Sequence, residues 1–211
     1  MEPFKPFCGV IAPLDRSNVD TDQIIPKQFL KSVKRTGFGE SLFFDWRYLP
    51  NGNPDPDFVL NREPYCSAEI LVAGNNFGCG SSREHAVWSV LQFGFKCVIA
   101  PSRGRGDERV PGFADIFRNN CVKNGLLTVE LSEADANSIL EAVNASPGTE
   151  ASVDLDAQTV TVQDHAFFFD IDGAVKETLL KGLDDVAQTL RHEADVSAFE
   201  ASHVTYMHPA P

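Results

Sequence analysis

The 211-residue sequence predicts an α/β fold in which a mixed sheet is flanked by helices, and three observations support this prediction. An apolar strand at residues 68–73 leads through a glycine-rich turn into an amphipathic helix, and a second apolar strand follows at residues 95–100. A strand, a helix and a strand in succession form a βαβ unit, whose two strands are parallel. Farther on, residues 153–155 and 159–162 have the spacing of a hairpin, whose strands are antiparallel. The composition, 43% hydrophobic and 23% charged, is that of a globular domain with one buried core.

Turn-forming residues and a proline mark the elements of the first part of the chain. A polar loop follows the first strand and is expected to cap the next helix. Pro26 has the backbone geometry that favours the start of a short helix. The basic segment after this helix contains two glycines, which allow the backbone to approach a ligand closely. The predicted elements are a strand at 7–14, a polar loop at 15–22, a helix at 27–32, a basic flexible loop at 33–39 and a surface loop at 50–57.

The helix of the βαβ unit is predicted to begin at Ser82, with Ser81 as its N-cap. Ser81 and Glu84 have the S-x-x-E spacing of a capping box, in which each side chain pairs with a backbone N–H of the first turn. Apolar residues recur along one face of this helix, which is therefore expected to pack on the sheet. Gly94 is a typical residue to end it.

The second half of the chain continues with strands and helices. Ser132 and Asp135 have the spacing of a helix cap and its partner, which predicts a helix start. The predicted elements are a loop at 101–112, a short helix at 113–119, a strand at 126–131, a helix from Ser132 to about residue 144, the hairpin, a strand at 167–171, a helix at 175–180 closed by Gly182, and acidic amphipathic helices up to Ala201.

Charge and cysteine content exclude several classes of function. The net charge of −12 argues against a nucleic-acid-binding protein, which needs a basic surface. We find neither a signal peptide nor an apolar segment long enough to cross a membrane, so we expect a soluble cytoplasmic protein. The five cysteines are scattered and form no C-x-x-C pair, which indicates reduced thiols and neither a disulfide framework, a zinc site nor a complete iron–sulfur ligand set. We therefore expect that this chain binds no cofactor or metal of its own.

The glycine-rich turn, defined here as residues 74–83, fits none of three common nucleotide or hydrolase motifs. A Walker loop would need a lysine that is absent, a dinucleotide fingerprint would need a third glycine where Arg83 stands, and a hydrolase elbow would need a different position for its serine. The turn instead delivers Ser81, Ser82 and Arg83 to the start of a helix, where N–H groups and a guanidinium favour an anion such as a carboxylate. A simpler interpretation is that Ser81 only caps the helix and Arg83 only forms a surface ion pair. The three glycines of the turn argue against this interpretation, because a cap does not need so much backbone freedom.

Residues 77–86, with the sequence FGCGSSREHA, resemble the signature of the swivelling domain of the aconitase superfamily. Further segments resemble, in order and at similar spacing, the small-subunit family of bacterial 3-isopropylmalate dehydratases. These segments are residues 18–30, 35–39, 98–102, 113–117 and 182–184. The resemblance covers nearly the whole chain and implies that residues 1–211 form a single swivelling β/β/α domain of the aconitase C-terminal type.

The resemblance also implies a function. In this family a large subunit carries a 4Fe-4S cluster, and the small subunit closes over it to complete the active site. The reaction interconverts 2- and 3-isopropylmalate by dehydration and rehydration, in leucine biosynthesis. The implied partners are thus the large subunit and a small dicarboxylate substrate, with no nucleic acid and no membrane.

Six residues match functional positions of the family. Ser81 matches the general base that removes a carbon-bound proton, and Asp22 matches an aspartate that lines the same site. Arg83 matches the arginine that binds a substrate carboxylate, and Ser82 lies beside it. The last two are Arg35 and Thr36, in the loop that binds a second carboxylate and discriminates between substrate side chains.

Two alternatives accompany this interpretation, and the chain also departs from the family pattern. The closest enzymatic alternative is the small subunit of a related hydro-lyase that acts on citraconate, methylmalate or homoaconitate, and the other alternative is a non-catalytic anion-binding module. The intact pair of Ser81 and Arg83 argues against the binding module, which would not need a base. The departure is a polar insertion at residues 103–112, where relatives run directly from Ala-Pro-Ser into Phe-Ala-Asp-Ile-Phe. We expect this insertion to form a mobile surface loop.

Overall fold

The computed structural model describes residues 1–31, 35–104 and 106–203, and within these ranges seven strands form one mixed sheet. The spatial order of the strands is β4-β3-β2-β1-β5-β6-β7. The first four strands pair in parallel, and β5, β6 and β7 join them as an antiparallel extension beside β1. The strands are β1 Phe7–Leu14, β2 Ile70–Ala73, β3 Cys97–Ser102, β4 Leu127–Ser132, β5 Glu150–Asp154, β6 Thr159–Val162 and β7 His165–Phe168.

Helices cover both faces of the parallel half of the sheet. All four residues of β2 are fully buried, and because successive strand residues point to opposite faces, neither face of β2 is open to solvent. The helix α5 packs against β1 to β4, while α3 and α4 connect β2 to β3 and β3 to β4. The helices are α1 Thr21–Ile24, α2 Phe44–Arg47, α3 Glu84–Phe93, α4 Asp115–Asn124, α5 Glu133–Ala145, α6 Gly173–Lys181, α7 Asp185–Leu190 and α8 Glu193–Ser202.

The predicted mixed sheet flanked by helices is confirmed. The predicted first strand coincides with β1, the βαβ unit has parallel strands, and the hairpin of β5 and β6 is antiparallel. Ser132 caps α5 by accepting a hydrogen bond from the backbone N–H of Asp135, at 3.1 Å. The fourth helix is longer than predicted, because it continues to Asn124 and ends at Gly125, whose φ of 83° suits glycine.

Some predicted segments lie partly outside the described residues. The predicted helix at 27–32 is a 3-10 turn at Lys27–Lys31, and residues 32–34, which include the start of the basic loop, are outside the description. Within the insertion, Arg103 and Val110 pair as an antiparallel bridge around a 3-10 turn at Gly106–Glu108. The expected mobility of the insertion stays a prediction. Among the described residues, no helix is both long enough and apolar enough to cross a membrane.

Candidate functional site

The glycine-rich turn follows β2 at the carboxyl edge of the parallel strands and is fixed on one side by the start of α1. The N–H of Gly78 donates to the carbonyl of Val19 at 2.8 Å, and the N–H of Thr21 donates to the carbonyl of Cys79 at 2.9 Å. The buried hydroxyl of Thr21 in turn accepts the N–H of Ser81 at 3.2 Å. This side of the turn is therefore held by backbone and side-chain hydrogen bonds up to Ser81 itself.

The opposite side of the turn is fixed by the segment that leads into α4. The N–H of Phe77 donates to the carbonyl of Gly112 at 2.9 Å, and the N–H of Ala114 donates to the carbonyl of Phe77 at 3.0 Å. The side chain of Phe117 lies directly against Gly78, where an added Cβ would stand only 2.5 Å from the Cβ of Phe117. Gly78 has a φ of 75°, so both its backbone conformation and its close contact require glycine.

An ion pair joins Arg83, at the end of the turn, to Asp22 of α1. The guanidinium of Arg83 donates through Nη1 to Oδ1 of Asp22, and Nζ of Lys27 lies 3.6 Å from Oδ2 of the same carboxylate. The hydrogen bond from Arg83 is the main reason that the pKa of Asp22 is lowered from its ordinary value, with smaller effects from the positive charges of Arg83 and Lys27. Two cations therefore share the carboxylate of Asp22, while the side chain of a second acidic residue, Asp20, lies beside Gly80 of the turn.

The predicted capping box of Ser81 and Glu84 is wrong. The helix α3 begins at Glu84, and its N-cap is Arg83, which has an extended backbone and makes no capping hydrogen bond with its side chain. The carboxylate of Glu84 accepts a hydrogen bond from Nδ2 of Asn124 at 2.9 Å, so it does not reach back to the N-cap. A tertiary contact with α4 has replaced the local one, and residues 81–83 stay outside the helix.

Ser81 and Ser82 consequently present free polar groups to solvent. Both residues are exposed, and neither hydroxyl makes a hydrogen bond to any part of the chain that the structure describes. Within the same described ranges, the backbone N–H groups of Ser82, Glu84 and His85 have no acceptor. Unpaired N–H groups at the start of a ten-residue helix, together with Arg83, form a surface that favours an anion.

Arg35 and Thr36 lie farther along α3. Both are exposed, and the guanidinium of Arg35 stands over the ring of Trp88, 5.5 Å from its centroid. No hydrogen bond or ion pair between described residues joins either of them to Asp22 or to the glycine-rich turn. Trp88 lies five residues beyond Arg83, which is more than one helical turn farther along α3. The structure thus brings together four of the six predicted residues and places the other two in a separate loop that lies against α3.

Sequence reasoning missed two residues of this arrangement, Thr21 and Lys27. Thr21 positions Ser81 through the hydrogen bond described above, and Lys27 adds a second cation to Asp22. One signal could have located them, because Asp20 and Gln23 have capping-box spacing and form that box, with hydrogen bonds of 2.8 and 2.9 Å. Recognising it would have placed Thr21 at the start of a short helix beside the turn, with Lys27 just beyond the end of this helix.

Neither a metal site nor a closed cavity surrounds the turn in the described part of the chain. No three His, Cys, Asp or Glu side chains come together there as possible ligands. Burial raises the pKa of the Cys79 thiol, next to the site, and raises those of Cys97 and Cys121 in the core much further. Five cavities formed by the described residues are lined by neither Ser81 nor Arg83. The candidate site is therefore an open surface.

Comparison with known proteins gives consistent matches over nearly the whole chain. Residues 1–134 match the family described as the Aconitase C-terminal domain, and residues 137–173 match a second family described as LeuD_N. A protein of Desulforapulum autotrophicum named 3-isopropylmalate dehydratase small subunit is 53% identical over 210 residues, which cover 98% of this chain and 98% of that protein. A protein of the same name from Halalkalibacterium halodurans is 54% identical and covers 97% of this chain and 100% of its own length.

The fold has a counterpart among solved structures. A crystal structure titled 3-isopropylmalate dehydratase, from Methanocaldococcus jannaschii, superposes with a TM-score of 0.63 at 22% identity. The match covers 92% of this chain and 99% of that chain. It supports the fold alone, and together with the sequence matches it confirms the predicted relationship to the aconitase superfamily.

Proposed function

This chain belongs to the family of 3-isopropylmalate dehydratase small subunits, and from this premise we propose that it supplies one half of the active site of that hydro-lyase. The enzyme interconverts 2- and 3-isopropylmalate by dehydration and rehydration, in leucine biosynthesis. One observation carries the proposal for this chain: Ser81 and Ser82 are exposed beside a fixed arginine, with free N–H groups around them and no cavity that encloses them.

Arg83 is assigned the binding of a substrate carboxylate, with Ser82 beside it. The guanidinium has five N–H donors, and one of them is occupied by Asp22, so a carboxylate can still be bound through others. Asp22 holds the guanidinium in one orientation, and its lowered pKa strengthens its preference for the ionised form that makes this ion pair. The side chain of Arg83 is only 16% exposed, which makes it a more rigid anchor than a surface arginine.

Ser81 is assigned the role of general base, which takes the proton from the carbon beside a carboxylate. A serine hydroxyl is a weak base unless its anion is stabilised. The positive end of α3, the unpaired N–H groups and the charge of Arg83 supply such stabilisation at this position. The hydrogen bond from the N–H of Ser81 to Thr21 fixes the backbone from which the hydroxyl projects.

The partner is the large subunit, and the substrate is a small dicarboxylate. Departure of the substrate hydroxyl needs a Lewis acid, and a 4Fe-4S cluster held by the large subunit supplies that chemistry when it is bound. This chain would hold no part of the cluster, since Cys79 is a lone thiol and no three His, Cys, Asp or Glu side chains come together among the described residues. Closure of the large subunit over the open surface would exclude water and strengthen each electrostatic contact made by Arg83.

The same proposal covers cellular context. The net charge of −12 disfavours binding to nucleic acid or to anionic membranes, so the binding partners are a protein and a metabolite. A biosynthetic enzyme with reduced thiols belongs in the cytoplasm.

The test is hydration of isopropylmaleate by this chain combined with its cluster-loaded large subunit. We expect activity only in the mixture, and a loss of about 10²–10⁴-fold in kcat for Ser81→Ala. The fold of this variant, and with it assembly, should be unchanged, because Ser81 is exposed and its hydroxyl makes no hydrogen bond to the described chain. Ser67→Ala is the matched control, since Ser67 is also exposed but precedes β2 at the opposite edge of the sheet.

Each result has a distinct meaning. Full activity of Ser81→Ala would refute the assignment of the base. An assembled but inactive wild-type enzyme would favour another dicarboxylate, such as citraconate or homoaconitate. Absence of assembly would favour the non-catalytic anion-binding module.

A further inference from the structure

The turn that carries Arg35 is closed by a side chain of α3 and not by its own backbone. In a β-turn the carbonyl of the first residue accepts a hydrogen bond from the N–H of the fourth. Here the side-chain amide of Gln92 is inserted between these two groups. Its Oε1 accepts the N–H of Phe38 at 2.9 Å, and its Nε2 donates to the carbonyl of Arg35 at 2.7 Å. Gly37, the third residue of this turn, has a φ of 92°, which is usual for glycine at that position.

The orientation of the Gln92 amide is determined by its two partners. Rotating it by half a turn would place its NH₂ group against the N–H of Phe38 and its oxygen against the carbonyl of Arg35. The backbone at the same position is also in close contact, because a Cβ added to Gly39 would lie 2.7 Å from the carbonyl carbon of Gln92. The segment from Arg35 to Gly39 therefore contacts the end of α3 through the two hydrogen bonds of Gln92 and through the close approach of Gly39 to the backbone of Gln92.

Trp88, one helical turn before Gln92, forms the surface under this segment. Arg35 stands over its ring at 5.5 Å, within the range of a cation–π contact, and the ring of Phe38 lies 5.8 Å away. The indole N–H donates to Oδ1 of Asn124 at 2.9 Å, and Nδ2 of Asn124 donates to Glu84 at 2.9 Å. The position of the indole is thus fixed from α4.

Glu84, Trp88 and Gln92 are spaced by four residues and lie along one face of α3. The first contacts α4, the second lies beneath Arg35, and the third closes the turn of Arg35. The residue before this series is Arg83. One helix therefore holds both the anion-binding turn at its start and the Arg35 turn near its end.

We propose that Gln92 is a positioning residue that sets the distance between Arg35 and the Ser81–Arg83 site, and thereby the selection of the substrate side chain. This inference rests on the function proposed above, together with the family resemblance, which implies that the loop of Arg35 contacts the substrate. Gln92 does not touch the reacting atoms and acts through Arg35. Without its amide the turn is formed only part of the time, and the apparent dissociation constant rises by the inverse of that fraction.

The test compares Gln92→Leu with the wild type in the assembled enzyme. We expect KM for isopropylmaleate to rise about tenfold, as for a turn that is formed about a tenth of the time, while kcat changes much less. Since the formed turn is proposed to select the larger side chain, citraconate, which carries a methyl group in place of isopropyl, should lose less, and the ratio of kcat/KM for isopropylmaleate to that for citraconate should fall. A loss of stability alone would lower kcat/KM for both substrates by the same factor and leave their ratio unchanged. Gln188→Leu, at an exposed helical glutamine whose side chain makes no hydrogen bond to the described chain, is the matched control.

A second measurement does not depend on activity. The chain has two tryptophans, so Trp46→Phe leaves Trp88 as the only one. In this background, Gln92→Leu should increase the quenching of Trp88 fluorescence by acrylamide, because the Arg35 turn no longer covers the indole, and Gln188→Leu should not.

Unchanged quenching, or an unchanged substrate ratio in an active enzyme, would overturn the inference. A wild-type enzyme inactive on isopropylmaleate would instead refute the proposed function. The quenching comparison would then still decide whether Gln92 holds the turn.

Discussion

Replacing Gly78 by alanine should destabilise the protein by an amount that can be built from two terms. A non-glycine residue at a φ of 75° costs about 1–2 kcal/mol. The added methyl group would also lie 2.5 Å from the Cβ of Phe117, and overpacking of this kind costs about 1–3 kcal/mol. The expected loss in the free energy of unfolding is therefore about 2–5 kcal/mol, a large part of the stability of an ordinary domain.

Equilibrium unfolding in urea measures this loss, and Gly52→Ala isolates its backbone term. Gly52 has a φ of 82°, but an added Cβ would meet nothing within 4 Å. This control should therefore lose only about 1–2 kcal/mol. Gly78→Ala should also lower kcat/KM of the assembled enzyme, since a turn displaced by Phe117 moves Ser81, and Gly52→Ala should leave kcat/KM unchanged.

Equal losses in the two variants would refute this reasoning. They would mean that Phe117 moves aside at no cost and that the contact does not fix the turn. If Gly78→Ala is destabilised but fully active, the contact with Phe117 stabilises the fold without positioning Ser81. Ser81 would then be positioned by Thr21 and not by Gly78.

Two further predictions concern charge and thiols. Arg83→Gln should raise the pKa of Asp22 towards its ordinary value, which a ¹³C NMR titration of the carboxyl carbon would detect. Because the pKa of Asp22 is lower in the native than in the unfolded state, this residue stabilises the fold fully at a pH above its unfolded-state pKa. The contribution is lost as the pH falls through its native-state pKa. An unchanged titration would contradict the ion pair. Reaction of the native chain with a thiol reagent should modify the exposed or half-exposed thiols and spare the buried ones until the protein unfolds, and assembly with the large subunit should protect the half-exposed one beside the site. Equal reactivity of all thiols would contradict the described core. Cys8 and Cys66 are exposed, Cys79 is half-exposed, and Cys97 and Cys121 are buried.

Most of the sheet could be predicted because its signals are local. The strand Phe7–Leu14 is an apolar segment that ends in a polar loop, and the pair Glu150–Asp154 and Thr159–Val162 has hairpin spacing. The cap of α5 was also predicted, because Ser132 and its partner Asp135 are three residues apart and no distant group competes for them. Local pattern and tertiary structure agree at these positions.

The candidate site was less predictable because its contacts join distant parts of the chain. Arg83 and Asp22 are 61 residues apart, and Gln92 and Arg35 are 57 apart. No period or spacing within one segment indicates such pairs, so only the resemblance to a known family suggested that the first two residues belong together. The role of Gln92 has no signal in the sequence, since an isolated glutamine near the end of a helix is an ordinary surface residue.

The wrong prediction at Ser81 bears on the proposed chemistry. Had the helix begun at Ser82, the hydroxyl of Ser81 would accept an N–H of the first turn, and one lone pair of the expected base would be occupied. In the structure the carboxylate of Glu84 accepts a hydrogen bond from Asn124, the backbone at Arg83 is extended, and the hydroxyl of Ser81 makes no hydrogen bond within the described residues. The unpaired N–H groups cost little while water reaches them, but under a closed subunit each would need an acceptor. In the function proposed above, an anionic substrate would provide that acceptor.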